Sequence, residues 1–215
     1  IGAKYGLPFA GALSFVSVRC ALVLALLLLA AWAFRAPWPR GWRQIAHIAV
    51  AGVLMQAAYL NGVFLAIQQG LPAALTSLIV GLQPILTALA AGLLLGERVS
   101  RSQWLGLMLG FAGVLLVVLN SRSPGLGTAW GPTALWPAVI ALIGITLGTL
   151  YQKRFCPRFD LRSGAVIQFA ASLLVTWPLA AAFEPRAIDW QAPFIFALLW
   201  LVLMLSLGAI SLLNL

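Results

Sequence analysis

The stretch Phe9–Phe34, FAGALSFVSVRCALVLALLLLAAWAF, holds 26 residues and a single charge, Arg19. An apolar run longer than about 18 residues is long enough to cross a bilayer core as a helix. Membrane strands need shorter, alternating segments, whereas this run is continuous. Six further runs of the same kind follow: Ile45–Ile67, Pro72–Leu95, Trp104–Leu119, Ala134–Tyr151, Ala165–Phe183 and Pro193–Leu215. The expected fold is an all-α polytopic membrane protein, a helical bundle of about seven transmembrane helices.

Composition agrees. Of 215 residues, 63% are apolar and 8% charged, and the mean hydropathy is +1.04. A soluble domain has about 45–50% apolar and roughly 25% charged residues, so a water-soluble enzyme and a disordered chain are excluded. Seven helices of roughly 20 residues take up most of the chain and leave only short connections. Cys20 lies inside an apolar run and Cys156 in a basic loop, so both are expected as free thiols.

The net charge of +9 does not imply nucleic acid, because the basic residues lie between the apolar runs. Arg35, Arg40, Arg43, Arg98, Arg101, Lys153, Arg154, Arg158 and Arg162 fall in alternate loops, and Lys4, Arg122 and Arg186 in the others. Positive loops stay cytoplasmic, which predicts the richer set inside and Ile1 outside. With no signal peptide before the first run and apolar sequence up to Leu215, the chain is expected to be part of a longer protein with a preceding helix. Trp38, Trp42, Trp104, Trp130, Trp136 and Trp190 fall at predicted membrane edges, as an interfacial belt does. Trp200 lies inside the last run, either packed or facing lipid, or stacking on substrate in a cavity wall. Gly92 and Gly96, Gly106 and Gly110, and Gly144 and Gly148 are pairs that let helices approach closely.

A charge deep in a membrane span is costly and marks function by default. Arg19 is expected near the bilayer centre, and no Asp or Glu lies in the interior of any span. Two roles stay open for it: a structural partner for carbonyls or an acid elsewhere, or a cavity group that holds a carboxylate or phosphate. Pro84, in Gly81-Leu82-Gln83-Pro84, removes one backbone hydrogen bond and clashes with the carbonyl of Val80. This predicts a bend or local unwinding there, either a packing kink or a broken helix at a transport site. Pro178 is a second candidate. Gln56, Tyr59, Asn61, Thr76, Ser77, Gln83, Thr87, Thr146, Thr149 and Tyr151 supply polar groups in the spans. Interhelical bonding accounts for most such groups, and a few are expected to line a pathway. Glu97 is expected to form a local charge cluster with Arg98 and Arg101, and His47 to lie at the interface. Hydrolase, nucleotide-binding, metal and cofactor motifs are missing, so no enzyme activity is expected.

Leu95-Gly96-Glu97-Arg98-Val99-Ser100 resembles the Leu-Gly-Glu-Arg-x-Ser signature of EamA-type proteins in the drug/metabolite transporter superfamily. Gln83-Pro84 upstream, Trp104-Leu105-Gly106 and Gly110-Phe111-Ala112-Gly113-Val114 downstream, and Phe15-Val16-Ser17-Val18-Arg19 extend the likeness. The resemblance implies ten helices in two inverted repeats of five, with residues 1–120 as the first repeat, lacking most of its first helix, and 121–215 as an incomplete second. It also implies a bacterial inner-membrane exporter of amino acids or similar small metabolites, working by alternating access through a central cavity. Cavity candidates are Arg19, Gln56, Tyr59, Asn61, Ser77, Gln83, Thr87, Tyr151 and Trp200. Pro84 is the candidate hinge, and Gly96, Glu97 and Arg98 form the structural motif. The competing readings from the residues are a membrane-embedded enzyme and a non-transporting scaffold subunit.

Overall fold

The computed structural model describes residues 7–95, 100–120, 131–156, 159–184 and 188–213. Among them every regular element is helical. The helices are α1 (Ala12–Ala33), α2 (Trp42–Gln68), α3 (Ala73–Val80), α4 (Gln83–Leu95), α5 (Arg101–Asn120), α6 (Leu135–Phe155), α7 (Leu161–Phe183) and α8 (Ala192–Leu213). Five stretches of the described chain are long and apolar enough to cross a membrane: α1, α2, Ala73–Gly92, α6 and α7. The chain is a polytopic helical membrane protein.

Several helices run past the apolar spans because their ends are capped outside them. Asp160 accepts hydrogen bonds from the N–H groups of Arg162 and Ser163 at 2.9 and 3.3 Å, starting α7 four residues before Ala165. Ser100 and Gln103 form a reciprocal capping box, with bonds of 2.8 and 3.3 Å, that starts α5 at Arg101. α6 continues to Phe155 and carries Lys153 and Arg154 in its last turn, where the helix dipole favours cations. The run Pro72–Leu95 is divided: α3 ends at Val80, and Gly81 and Leu82 turn the chain before α4 begins.

Contacts across the fold sort the loops into two ends. At one end the start of α1 meets the ends of α2 and α7: Ala12 donates to Gln68 Oε1 at 3.3 Å, and Leu13 and Ser14 donate to Glu184. At the other, Ser163 Oγ donates to the carbonyl of Pro37 at 2.7 Å, and His47 Nδ1 lies 2.7 Å from Tyr151 Oη. Among the described residues, this second end carries Arg35, Arg40, Arg43, Lys153, Arg154 and Arg162.

α1 packs chiefly on α7, and α2 on α6. Phe15, Phe64, Phe169 and Phe194 join four helices in one core, with the Phe15 ring 5.3 Å from Phe64 and 5.5 Å from Phe194. A second core holds Leu71, Leu75, Ala138 and Leu142. Residues Val53–Ala58 of α2 form a π-helical turn, which bulges the backbone. Gly144 and Gly148 of α6 make room for it: a Cβ on Gly144 would meet Ala58, and one on Gly148 would overlap Met55. Of the other glycine pairs, Gly110 approaches Ile85 closely, whereas Gly106 faces open space. Gly96 lies outside the described residues.

Candidate functional site

α1, α2 and α7 bring polar side chains together within an apolar bundle. Arg19 is 7% exposed and Ser17 1% on α1; Asn61 is 8% exposed on α2. Ser172 and Thr176 on α7 are fully buried. Asn61 Nδ2 donates to Thr176 Oγ1 at 3.0 Å, and Cys20 Sγ lies 4.0 Å from Ser172 Oγ. Tyr59 of α2 packs against the core that holds Phe15, Cys20 and Phe64. One turn along α7, Gln168 donates to Gln152 Oε1 of α6 at 3.0 Å.

Three buried atoms on α1 and α2 lack a hydrogen-bond partner: Ser17 Oγ, Arg19 Nε and Asn61 Oδ1. Each buried polar group left unpaired costs about 1–3 kcal/mol. Native interiors keep few such groups, and each calls for a reason. Their chemistry is mixed, with a cationic donor, a hydroxyl and an amide acceptor. Arg19 follows the first residue of α1 by seven positions, about 10 Å of rise. The middle of the 22-residue helix lies only about 5 Å further on. Its guanidinium is enclosed by the bundle, yet its Nε is not saturated by helix carbonyls.

The other sequence candidates are dispersed. Gln56 is half-buried within the π-helical turn. Gln83 and Thr87 are half-buried on α4, which packs on α6, and Thr87 Oγ1 is a fourth unpaired atom. Pro84 is exposed and is the second residue of α4, where its missing N–H is no loss to the helix. Ser77 is exposed and donates to the carbonyl of Ala73 at 2.8 Å. Thr76, Thr146 and Thr149 likewise donate to carbonyls of their own helices, or to Pro72 just before one. Tyr151 belongs to the arginine-rich end: it bonds His47, whose ring stacks on Phe155 at 5.2 Å and 9°. Trp200 is 44% exposed beside Phe196. Pro178 lies within α7 without ending it. Gly96, Glu97 and Arg98 lie outside the described residues.

Gln168, Ser172 and Thr176 were not singled out from the sequence. Their signal is the spacing: polar residues at every fourth position of an apolar run share one helix face.

Residues 1–119 match the family described as the EamA-like transporter family. The chain is 34% identical over 142 residues to the uncharacterized transporter YvbV of Bacillus subtilis (strain 168), covering 64% of this chain and 45% of that protein. It is 27% identical over 136 residues to the uncharacterized inner membrane transporter YedA of Escherichia coli (strain K12), covering 62% and 42% respectively. The chain therefore spans less than half the length of these curated relatives.

Proposed function

This chain belongs to the EamA-like transporter family, and from that premise we propose that it works as a secondary transporter. Its cargo is an amino acid or similar small metabolite, exported across a bacterial inner membrane by alternating access. Residues 1–120 and 121–215 act as parts of two inverted repeats. In a ten-helix numbering α1 and α7 are the second and seventh helices, equivalent positions in the two repeats. Their extensive packing supports this arrangement.

The observation that carries the reading is the set of unpaired atoms at Ser17, Arg19 and Asn61. A soluble polar ligand admitted between α1, α2 and α7 would regain the bonds that the closed bundle forgoes. Arg19 suits a carboxylate or phosphate, because the guanidinium stays charged and donates along a planar fork. Gln83, Thr87 and Pro84, beside the interruption between α3 and α4, are proposed as the moving part.

The test is flux. The full-length protein in proteoliposomes is given a panel of radiolabelled amino acids and phosphorylated metabolites, with and without a proton gradient. Saturable, protein-dependent movement of one class is expected. Flux of every compound equal to that of protein-free liposomes would overturn the proposal.

A further inference from the structure

Arg35 has φ 48°, the left-handed region, and no other non-glycine among the described residues does. It closes α1: the Arg35 N–H bonds the Trp32 carbonyl at 3.1 Å, and the Ala36 N–H reaches back to Ala31 at 2.9 Å. Glycine is the favoured residue at this point of a helix end. An arginine is held there against its backbone preference, and strain of this kind collects at functional positions.

The residue lines something specific. Arg35, Trp32 and Trp38, with the small Ala31, Ala33 and Ala36, line an open surface pocket of about 440 Å³. Adjoining it, and sharing both tryptophans, an almost wholly apolar groove of about 610 Å³ runs along Ala25, Leu28 and Leu29 of α1. The loop that carries Arg35 is anchored. The Arg162 guanidinium lies over the Phe34 ring at 4.8 Å, and Ser163 Oγ bonds the Pro37 carbonyl at 2.7 Å. Asp160, the acid at the start of α7, is occupied in capping that helix. Trp32 is 82% exposed and Trp38 51%, as aromatic side chains at a membrane interface are.

We propose that this is a binding site for one anionic glycerophospholipid. An acyl chain lies in the groove between Trp32 and Trp38, and the phosphate meets Arg35. The geometry selects that ligand by its two ends. A free metabolite has no tail to fill an apolar groove, and a zwitterionic lipid gains less from a lone guanidinium. Leu28 and the end of α1 at Ala33 are five residues apart, about 7.5 Å of helical rise, and Arg35 lies beyond that end, so chain and headgroup positions are separated along the helix. The site is independent of the transport reading.

The test uses the full-length protein in nanodiscs of phosphatidylcholine with or without phosphatidylglycerol. Phosphatidylglycerol is expected to raise the thermal midpoint, and inorganic phosphate to leave it unchanged. Arg35→Gly suits the backbone conformation better, so the variant folds; it is expected to lose at least half of the phosphatidylglycerol-dependent rise, whereas Arg40→Ala keeps it. Phosphatidylglycerol brominated on its acyl chains is expected to quench tryptophan fluorescence, and the Trp32→Phe/Trp38→Phe variant to lose much of that quenching. An unchanged lipid-dependent rise in Arg35→Gly would overturn the site. So would quenching indifferent to the two tryptophans, the result expected if another segment or a second copy of the chain covers the groove.

Discussion

Glu184 caps a helix to which it is not adjacent in sequence: its Oε2 accepts the backbone N–H of Ser14 at 2.8 Å, across 170 positions. Oε1 takes the N–H of Leu13 at 3.1 Å. The first turn of α1 has no side-chain cap of its own, and a carboxylate there meets both the free N–H groups and the positive end of the helix dipole. The end of α7 is thereby tied to the start of α1.

Removing that carboxylate should destabilise the bundle at this end. Glu184→Ala is expected to cost about 0.5–2 kcal/mol, the usual worth of a helix cap, read as a lower thermal midpoint in detergent. Gly11→Ala should act similarly, because its Cβ would overlap the Glu184 carboxylate. A midpoint unchanged in both variants would show that water caps α1 equally well.

The close helix contacts should differ in tolerance. A Cβ on Gly52 would overlap the backbone of Gln168, whereas one on Gly148 meets mainly the flexible Met55 side chain. Gly52→Ala is expected to cost about 1–3 kcal/mol, the range for overpacking, and Gly148→Ala less. Equal losses of folded yield would contradict the distinction.

At Arg19, charge and geometry can be separated. Arg19→Gln should lower flux of an anionic or zwitterionic substrate roughly 10–100-fold, the equivalent of a charged hydrogen bond of about 1.5–3 kcal/mol. Arg19→Lys should keep part of it, since the charge remains while the fork is lost. If both variants instead lose folded protein in parallel, the arginine is structural.

The interruption between α3 and α4 should respond to Pro84→Ala. The new N–H can reach the Val80 carbonyl and rejoin the two helices. Stability is expected to stay within about 0.5 kcal/mol, as for most exposed substitutions, while flux falls. Unaltered flux would remove Pro84 from the moving parts.

Orientation is open to a direct check. A single cysteine at Arg158 should label only with a membrane-permeant thiol reagent, and one at Arg122 from outside. The reverse pattern would invert the topology and undo the charge argument behind it.

The sequence by itself determined the class of the molecule and the order of its spans. Hydropathy is a sum over neighbouring residues, and a bilayer about 30 Å thick admits only long apolar helices or closed barrels. The family was readable because its motifs are short contiguous segments, Leu95–Ser100 first among them. Helix ends were less so: Asp160, Ser100 and Gln103 extend helices beyond the hydropathy edges through caps that a span count does not register.

Only the tertiary structure decided which faces meet. A membrane helix apolar all round carries little information about which side is buried, since lipid and protein present similar surfaces to it. Hence Arg19 and Asn61 were visible as unusual residues, but their company of Ser17, Ser172 and Thr176 depended on α1, α2 and α7 converging. Ser77 looked equivalent to Asn61 in sequence, yet it turns outward and bonds its own helix. Glu184 follows the last residue of α7, and its role as the cap of α1 exists only because α7 returns to the end of the bundle where α1 begins.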